Sequence, residues 1–154
     1  MPDVYAIDSS LYIPALRNAD ELAALKQFLR VARRRVVVAG LVAMELRAGA
    51  STAHHVDAVD ALLAPYALRE RVIAASYAAH VEAGRVLAAL VARERVVLAQ
   101  APRSLTADVL LAATCREHNV VLITGNHRDF TAIQRHLRGF RFIAPWPTGP
   151  RALR

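Results

Sequence analysis

Four acidic residues, Asp8, Glu45, Asp108 and Asp129, stand at or near the ends of periodic segments in this 154-residue chain. Gathered into one pocket, such carboxylates repel one another strongly unless a cation joins them. Oxygen-only ligands select hard ions such as Mg²⁺ or Mn²⁺ over zinc. An ion so held orients and helps deprotonate a water and stabilises charge on a phosphorane-like transition state, chemistry that suits phosphodiester cleavage. Taken alone, each residue also has a structural reading. Asp8 suits a helix N-cap, and Asp108 suits the anion-favouring first turn of a helix. Asn126 and Asp129 stand as cap and N3 residue, much like a capping box. Glu45 reads as a solvent-facing glutamate, although helical spacing sets it on the face of Leu41 and Ala48, where a charge must be paired, neutral or metal-bound. The functional reading rests on these positions coinciding at one end of one sheet.

The elements that would position them alternate. Residues 120–123 form a short apolar strand, ended by Thr124 and Gly125 and followed by polar Asn126, His127, Arg128 and Asp129. A strand that empties into polar residues at its C-terminal end is where open α/β sheets place ligands. Further strands are expected at 4–7, 36–39, 71–75 and 140–143. Helices are expected to begin near 11–14, irregular at Pro14, and over 19–31, capped by Asn18 or Asp20. Others are expected over 41–48, stopped at Gly49, and from a Ser51 or Thr52 cap to Pro65. The last three cover 76–93, 104–118 and 129–137; residues 96–99 read as a helix extension or a loop. The run Arg33-Arg34-Arg35 reads as a solvated helix end. This alternation specifies an α/β fold, a parallel sheet of four to five strands covered on both faces. Residues 1–147 read as one domain, with 148–154 a loose basic tail.

Composition narrows the partners. With 55% hydrophobic and 21% charged residues the chain is globular. The net charge is +7, and Lys26 is the only lysine, so the basicity is almost wholly arginine. Guanidinium forks suit phosphate, and a basic surface attracts polyanions. Cys115 is the only cysteine, which excludes an internal disulfide and a multi-cysteine metal site; in its apolar run it reads as a buried inert thiol. No stretch has the length and apolarity of a membrane span, and no signal peptide is evident, so a cytoplasmic location is expected.

The four segments Val4-Tyr-Ala-Ile-Asp8-Ser-Ser-Leu-Tyr-Ile13, Val42-Ala-Met-Glu45-Leu-Arg-Ala-Gly49, Leu105-Thr-Ala-Asp108-Val-Leu-Leu-Ala-Ala113 and Leu122-Ile-Thr124-Gly-Asn126-His-Arg-Asp129-Phe130, in this order, resemble the PIN-domain ribonucleases. They are most similar to the VapC-type toxins of bacterial toxin–antitoxin pairs, over nearly the whole chain. The resemblance implies a three-layer α/β/α sandwich and a Mg²⁺-dependent endoribonuclease, with Mn²⁺ as a substitute ion. It makes Asp8 and Asp108 direct metal ligands and gives Glu45 the attacking water. Asp129 would hold a second ion or an outer-shell water. Ser9, Thr124 and Asn126 match supporting polar positions; at 126, many relatives carry an acid. The resemblance further implies an RNA substrate, a homodimer, and a cognate antitoxin whose C-terminal segment crosses the toxin.

Competing readings fit less well. A dehalogenase-like phosphotransferase wants a second aspartate at position 10, which is Ser10. A dinucleotide-binding domain lacks its glycine loop, and a receiver domain wants an acidic pair near the end of strand one. The alternative from another class is a non-catalytic PIN-like module that binds RNA or a protein partner. Arg47, Arg116, Arg128 and Arg135 are candidates to line an RNA groove, Arg47 and Arg128 equally for pairing with the adjacent acids. His54 and His55 point to different helical faces and make a poor joint metal site. His80 and His118 suit packing, His127 packing or a phosphate contact, and His136 an exposed helix face. Trp146, between two prolines, reads as a hydrophobic plug.

Overall fold

The computed structural model describes residues 2–93 and 103–147. Five short strands form one parallel sheet: β1 (Tyr5–Ile7), β2 (Val36–Ala39), β3 (Val72–Ile73), β4 (Val121–Ile123) and β5 (Arg141–Ile143), in the order β3-β2-β1-β4-β5. The apolar runs become strands because a parallel sheet is covered on both faces and tolerates no polar alternation. In β1 and β4 every residue is buried. Register aligns Tyr5 with both Val36 and Val121, and Ile7 with Ile123.

The helices are α1 (Ser9–Ala15), α2 (Ala19–Ala32), α3 (Gly40–Ala48), α4 (Ala53–Ala67), α5 (Tyr77–Arg93), α6 (Arg103–Glu117) and α7 (His127–His136). From β1 the chain steps through α1 and α2 to β2, then through α3 and α4 to β3, always in one direction. It then crosses back through α5 and α6 to β4 and steps the other way through α7 to β5. Parallel crossovers are right-handed, so this reversal lays the first four helices on one face and the last three on the other. The architecture is therefore an α/β sandwich, a parallel sheet covered by helices on both faces, as the alternation of strands and helices implies. Its core contains Tyr5, Ile7 and Tyr12 with Leu122, Phe130 and Ile133.

Local signals account for most boundaries. Asn18 is the cap of α2, its side chain accepting from the backbone of Asp20 and Glu21, and Thr52 is the cap of α4. Pro65, expected to end α4, instead lies inside it. The N–H that proline lacks would have bonded the carbonyl of Ala61, and Ala61 is an exposed residue. The chain turns after Leu68 through Glu70, which takes a left-handed φ of 52°. The 71–75 strand shrinks to Val72–Ile73. Arg33–Arg35 forms a 3-10 turn after α2, with Arg33 and Arg34 exposed and Arg35 5.7 Å over the Tyr5 ring. Trp146 stacks on Phe28 at 5.2 Å, the plug that its setting suggests. Residues 96–99 and the 148–154 tail lie outside the described residues.

Candidate active site

The sheet order reverses between β1 and β4, the switch point at which open α/β sheets form a crevice at the C-terminal ends of their strands. Asp8 leaves β1 at this crevice, and Thr124 to Asn126 leave β4 beside it. Asp8 holds the N-cap position of α1 but makes no side-chain cap bond. Its carboxylate, 4% exposed, turns instead to β4: Oδ2 accepts from Thr124 Oγ1 at 2.7 Å and from Ser10 Oγ at 2.8 Å. Ser9 Oγ is 3.5 Å from Oδ1, at the limit of a hydrogen bond. The family resemblance matches the supporting hydroxyl to Ser9, whereas Ser10 makes the closer contact. Position 10 lies one residue further around the first turn of α1, and a linear motif does not distinguish the two rotational settings.

Thr124 is fully buried and ties two elements together. While donating to Asp8, its hydroxyl accepts from the Asn126 backbone N–H at 3.0 Å. Asn126 caps α7 through Oδ1, which accepts from the Asp129 N–H at 3.4 Å. Its Nδ2 donates to Asp129 Oδ2 at 3.0 Å and to Asp108 Oδ2 at 3.3 Å. The capping reading of Asn126 thus holds, and the same amide also links two carboxylates on different helices.

Asp108 is the electrostatic centre of the group. Burial first, then the charges of Asp8, Asp129 and Glu45, push its carboxyl from an ordinary 3.8 up to about 7. Glu45, half-buried on α3, borders a small cleft of about 100 Å³ lined also by Ile13, Leu46, His54 and His55. The acids therefore come from β1, α3, α6 and α7 to one edge. Among the described residues, no three His, Cys, Asp or Glu side chains already stand as a closed metal cage. The donor set nonetheless fits a hard cation: it is oxygen-only, and its central carboxyl is buried among three further carboxylates that push it up.

The remaining candidates divide. Arg47 pairs with Asp60 at 3.5 Å. Arg116 and Arg135 sit in the last turns of α6 and α7, about 12 and 9 Å along their helices from Asp108 and Asp129. Arg116 is engaged there by Glu82 at 3.6 Å and by the Arg138 carbonyl at 2.9 Å. Arg128, exposed and next to Asp129, stays at the acidic edge. His54 and His55 rings lie 6.1 Å apart, and both border the cleft beside Glu45. His80 and His118 bond the carbonyls of Ser76 and Ala74, and His127 packs 5.6 Å from the Phe142 ring. His136, expected to be exposed, is half-buried. Cys115 is buried, and its thiol is pushed up to about 12, as an inert core thiol should be.

A sequence-family model for the PIN domain matches residues 5–135. The chain belongs to the PIN domain family. No curated protein sequence matches it. Among solved structures, a chain of the DNA-bound VapBC from Salmonella typhimurium is similar with a TM-score of 0.68 at 21% identity, covering 94% of this chain and 98% of that one. FitAcB from Neisseria gonorrhoeae gives 0.65 at 17%, covering 93% and 99%. VapBC2 from Rickettsia felis, bound to a promoter DNA fragment, gives 0.62 at 16%, covering 94% and 99%. At these identities the likeness shows the fold. The PIN domain here carries its acids beside the β1–β4 reversal of the sheet, and no described helix is long and apolar enough to cross a membrane.

Proposed function

We propose that the protein is a Mg²⁺-dependent endoribonuclease acting as the toxin of a toxin–antitoxin pair. The observation that carries this reading is the convergence of Asp8, Glu45, Asp108 and Asp129, from four elements, on the β1–β4 crevice. PIN domains are generally nucleases, and the similar structures are VapBC and FitAcB assemblies, which supports an antitoxin partner here. The antitoxin, a homodimeric state and a cytoplasmic location belong to the same proposal, as does the assignment of residues 1–147 to one nuclease domain.

Asp8 and Asp108 would hold Mg²⁺ or Mn²⁺, with Asp129 supplying an outer position. A bound ion would supply Lewis acidity and a lowered water pKa at the crevice. Thr124 and Ser10 fix the position of the Asp8 carboxylate by donating to it. Asn126 holds the Asp108 and Asp129 carboxylates at a set separation. Glu45, bordering its cleft from α3, would orient a water and accept its proton. Arg128 offers a guanidinium to the backbone of an arriving strand.

The test is incubation of the purified protein with total RNA and Mg²⁺ or Mn²⁺, beside Asp8→Asn and Asp108→Asn variants. Discrete fragments from wild type alone, abolished by EDTA, are expected. Cleavage that persists in excess EDTA overturns the metal mechanism. A non-catalytic binding module would cut nothing, and its RNA affinity would hold or rise in both variants.

A further inference from the structure

The edge of the sheet opposite the acids carries a second charged feature. The chain enters β2 through the 3-10 turn Arg33–Arg35 and β3 directly from Arg71, so these arginines stand at the N-terminal ends of parallel strands. Strand β2 alone, at roughly 3.3 Å per residue, separates them from the acidic edge by about 13 Å. Arg33, Arg34, Arg69 and Arg71 line one open depression of about 290 Å³.

Their meeting is built by the backbone. The left-handed Glu70 reverses the chain after α4, with Arg69 and Arg71 both donating their N–H to the Tyr66 carbonyl, at 3.3 and 2.9 Å. Arg71 then reaches across to β2: Nη1 donates to the carbonyls of Arg33 and of Val36, the latter at 3.1 Å. Its guanidinium lies 5.3 Å over the Tyr66 ring. Nε is buried with no hydrogen-bond partner, and Nη2 makes no hydrogen bond among the described residues. The carbonyls of Arg33 and Val36, on the turn from α2 into β2, explain why Arg71 is drawn in. They do not explain three further cations in the same depression. No carboxylate lines it, and among the described residues Arg33, Arg34 and Arg69 form no ion pair. Cations crowded in this way repel, and planar forks in a concave setting match the oxygens of phosphate.

We infer that this depression binds backbone phosphates of the RNA whose scissile bond lies at the acidic edge, so that the substrate is gripped on two opposite edges of the sheet. The inference rests on the ribonuclease reading. It favours RNA long enough to pass around the molecule over short single strands.

The probe is an RNA hairpin large enough to reach both edges, compared with a tetranucleotide confined to the acidic edge. Binding is measured by fluorescence anisotropy across a salt series, with Ca²⁺ in place of Mg²⁺. In an Arg34→Gln/Arg69→Gln variant, hairpin affinity should fall about tenfold, and the log–log salt slope should shrink by about one to two. Tetranucleotide cleavage under Mg²⁺ should be unchanged. A Lys26→Gln/Arg93→Gln variant, matched in charge, should keep the hairpin affinity. Equal losses in both variants would reduce the effect to net charge, and no loss in either would remove the site; both outcomes overturn the inference. Tripolyphosphate is the third arm. If it raises the melting temperature of wild type but not of Arg34→Gln/Arg69→Gln, while hairpin affinity is the same in both, the depression takes free oligophosphates and the RNA assignment is overturned. Failure of wild type to bind either RNA refutes the ribonuclease reading itself, a result distinct from an unaffected arginine variant.

Discussion

Thr124 and Asp8, 116 residues apart, meet in a 2.7 Å hydrogen bond that spans the crevice between β4 and β1. The bond fixes the carboxylate that leaves the first strand, and the same hydroxyl accepts from the turn that carries Asn126. Replacement Thr124→Val keeps the shape but leaves a nearly buried carboxylate short of a donor. It should cost about 1–3 kcal/mol of stability in urea unfolding and lower RNA cleavage, while Thr124→Ser preserves both.

Asp108 makes stability depend on pH in a set direction. Its carboxyl is pushed up to about 7 in the folded protein against an ordinary 3.8, so the folded state binds the extra proton between these values. Metal-free stability should fall as pH rises from about 4 through 7 and level off above, and Asp108→Asn should flatten this slope. Urea midpoints measured in EDTA across that range check it; a slope unchanged in the variant assigns the dependence elsewhere.

Proton and metal should compete for the same carboxyl. Added Mg²⁺ should raise the melting temperature more at pH 8 than at pH 5, because an ion held by the folded state would find Asp108 ionised only at the higher pH. Equal thermal shifts at both pH values in wild type would separate Asp108 from the ion.

Asn126 joins two carboxylates and caps α7. Loss of the cap in Asn126→Ala should cost about 1 kcal/mol, read by thermal or chemical unfolding. Asn126→Asp keeps a capping oxygen but adds a charge beside Asp108 and Asp129, so it should destabilise the metal-free protein and tighten Mg²⁺ binding. Calorimetric titration with Mg²⁺ distinguishes the two variants.

Phe28 supports the segment after β5 by packing against Tyr5 at 6.0 Å and stacking on Trp146 at 5.2 Å. Phe28→Ala removes a buried aromatic ring and should cost about 3–5 kcal/mol. Trp146 is the only tryptophan, so its emission should shift to the red as the stack opens, while the acidic edge keeps its metal response.

The sequence alone determined the alternation of strands and helices and the ends of the segments where Asp8, Glu45, Asp108 and Asp129 stand. These are local properties: unbroken apolar runs, helical spacing and capping residues such as Asn18 and Thr52 act over a few neighbours. The order of motifs carried the family as well. Tertiary structure alone decided what those residues touch. The adjacency of β1 and β4 comes from the reversal of the sheet, and only that adjacency turns Asp8 from an N-cap into an acceptor for Thr124 and Ser10. Burial and three neighbouring charges, from distant parts of the chain, set the proton affinity of Asp108. The pairing of Arg47 with Asp60, the continuation of α4 past Pro65 and the meeting of Arg33 and Arg34 with Arg69 and Arg71 likewise depend on packing between elements. Local spacing fixes what a segment becomes; which segments lie side by side is fixed by how their apolar faces are buried together.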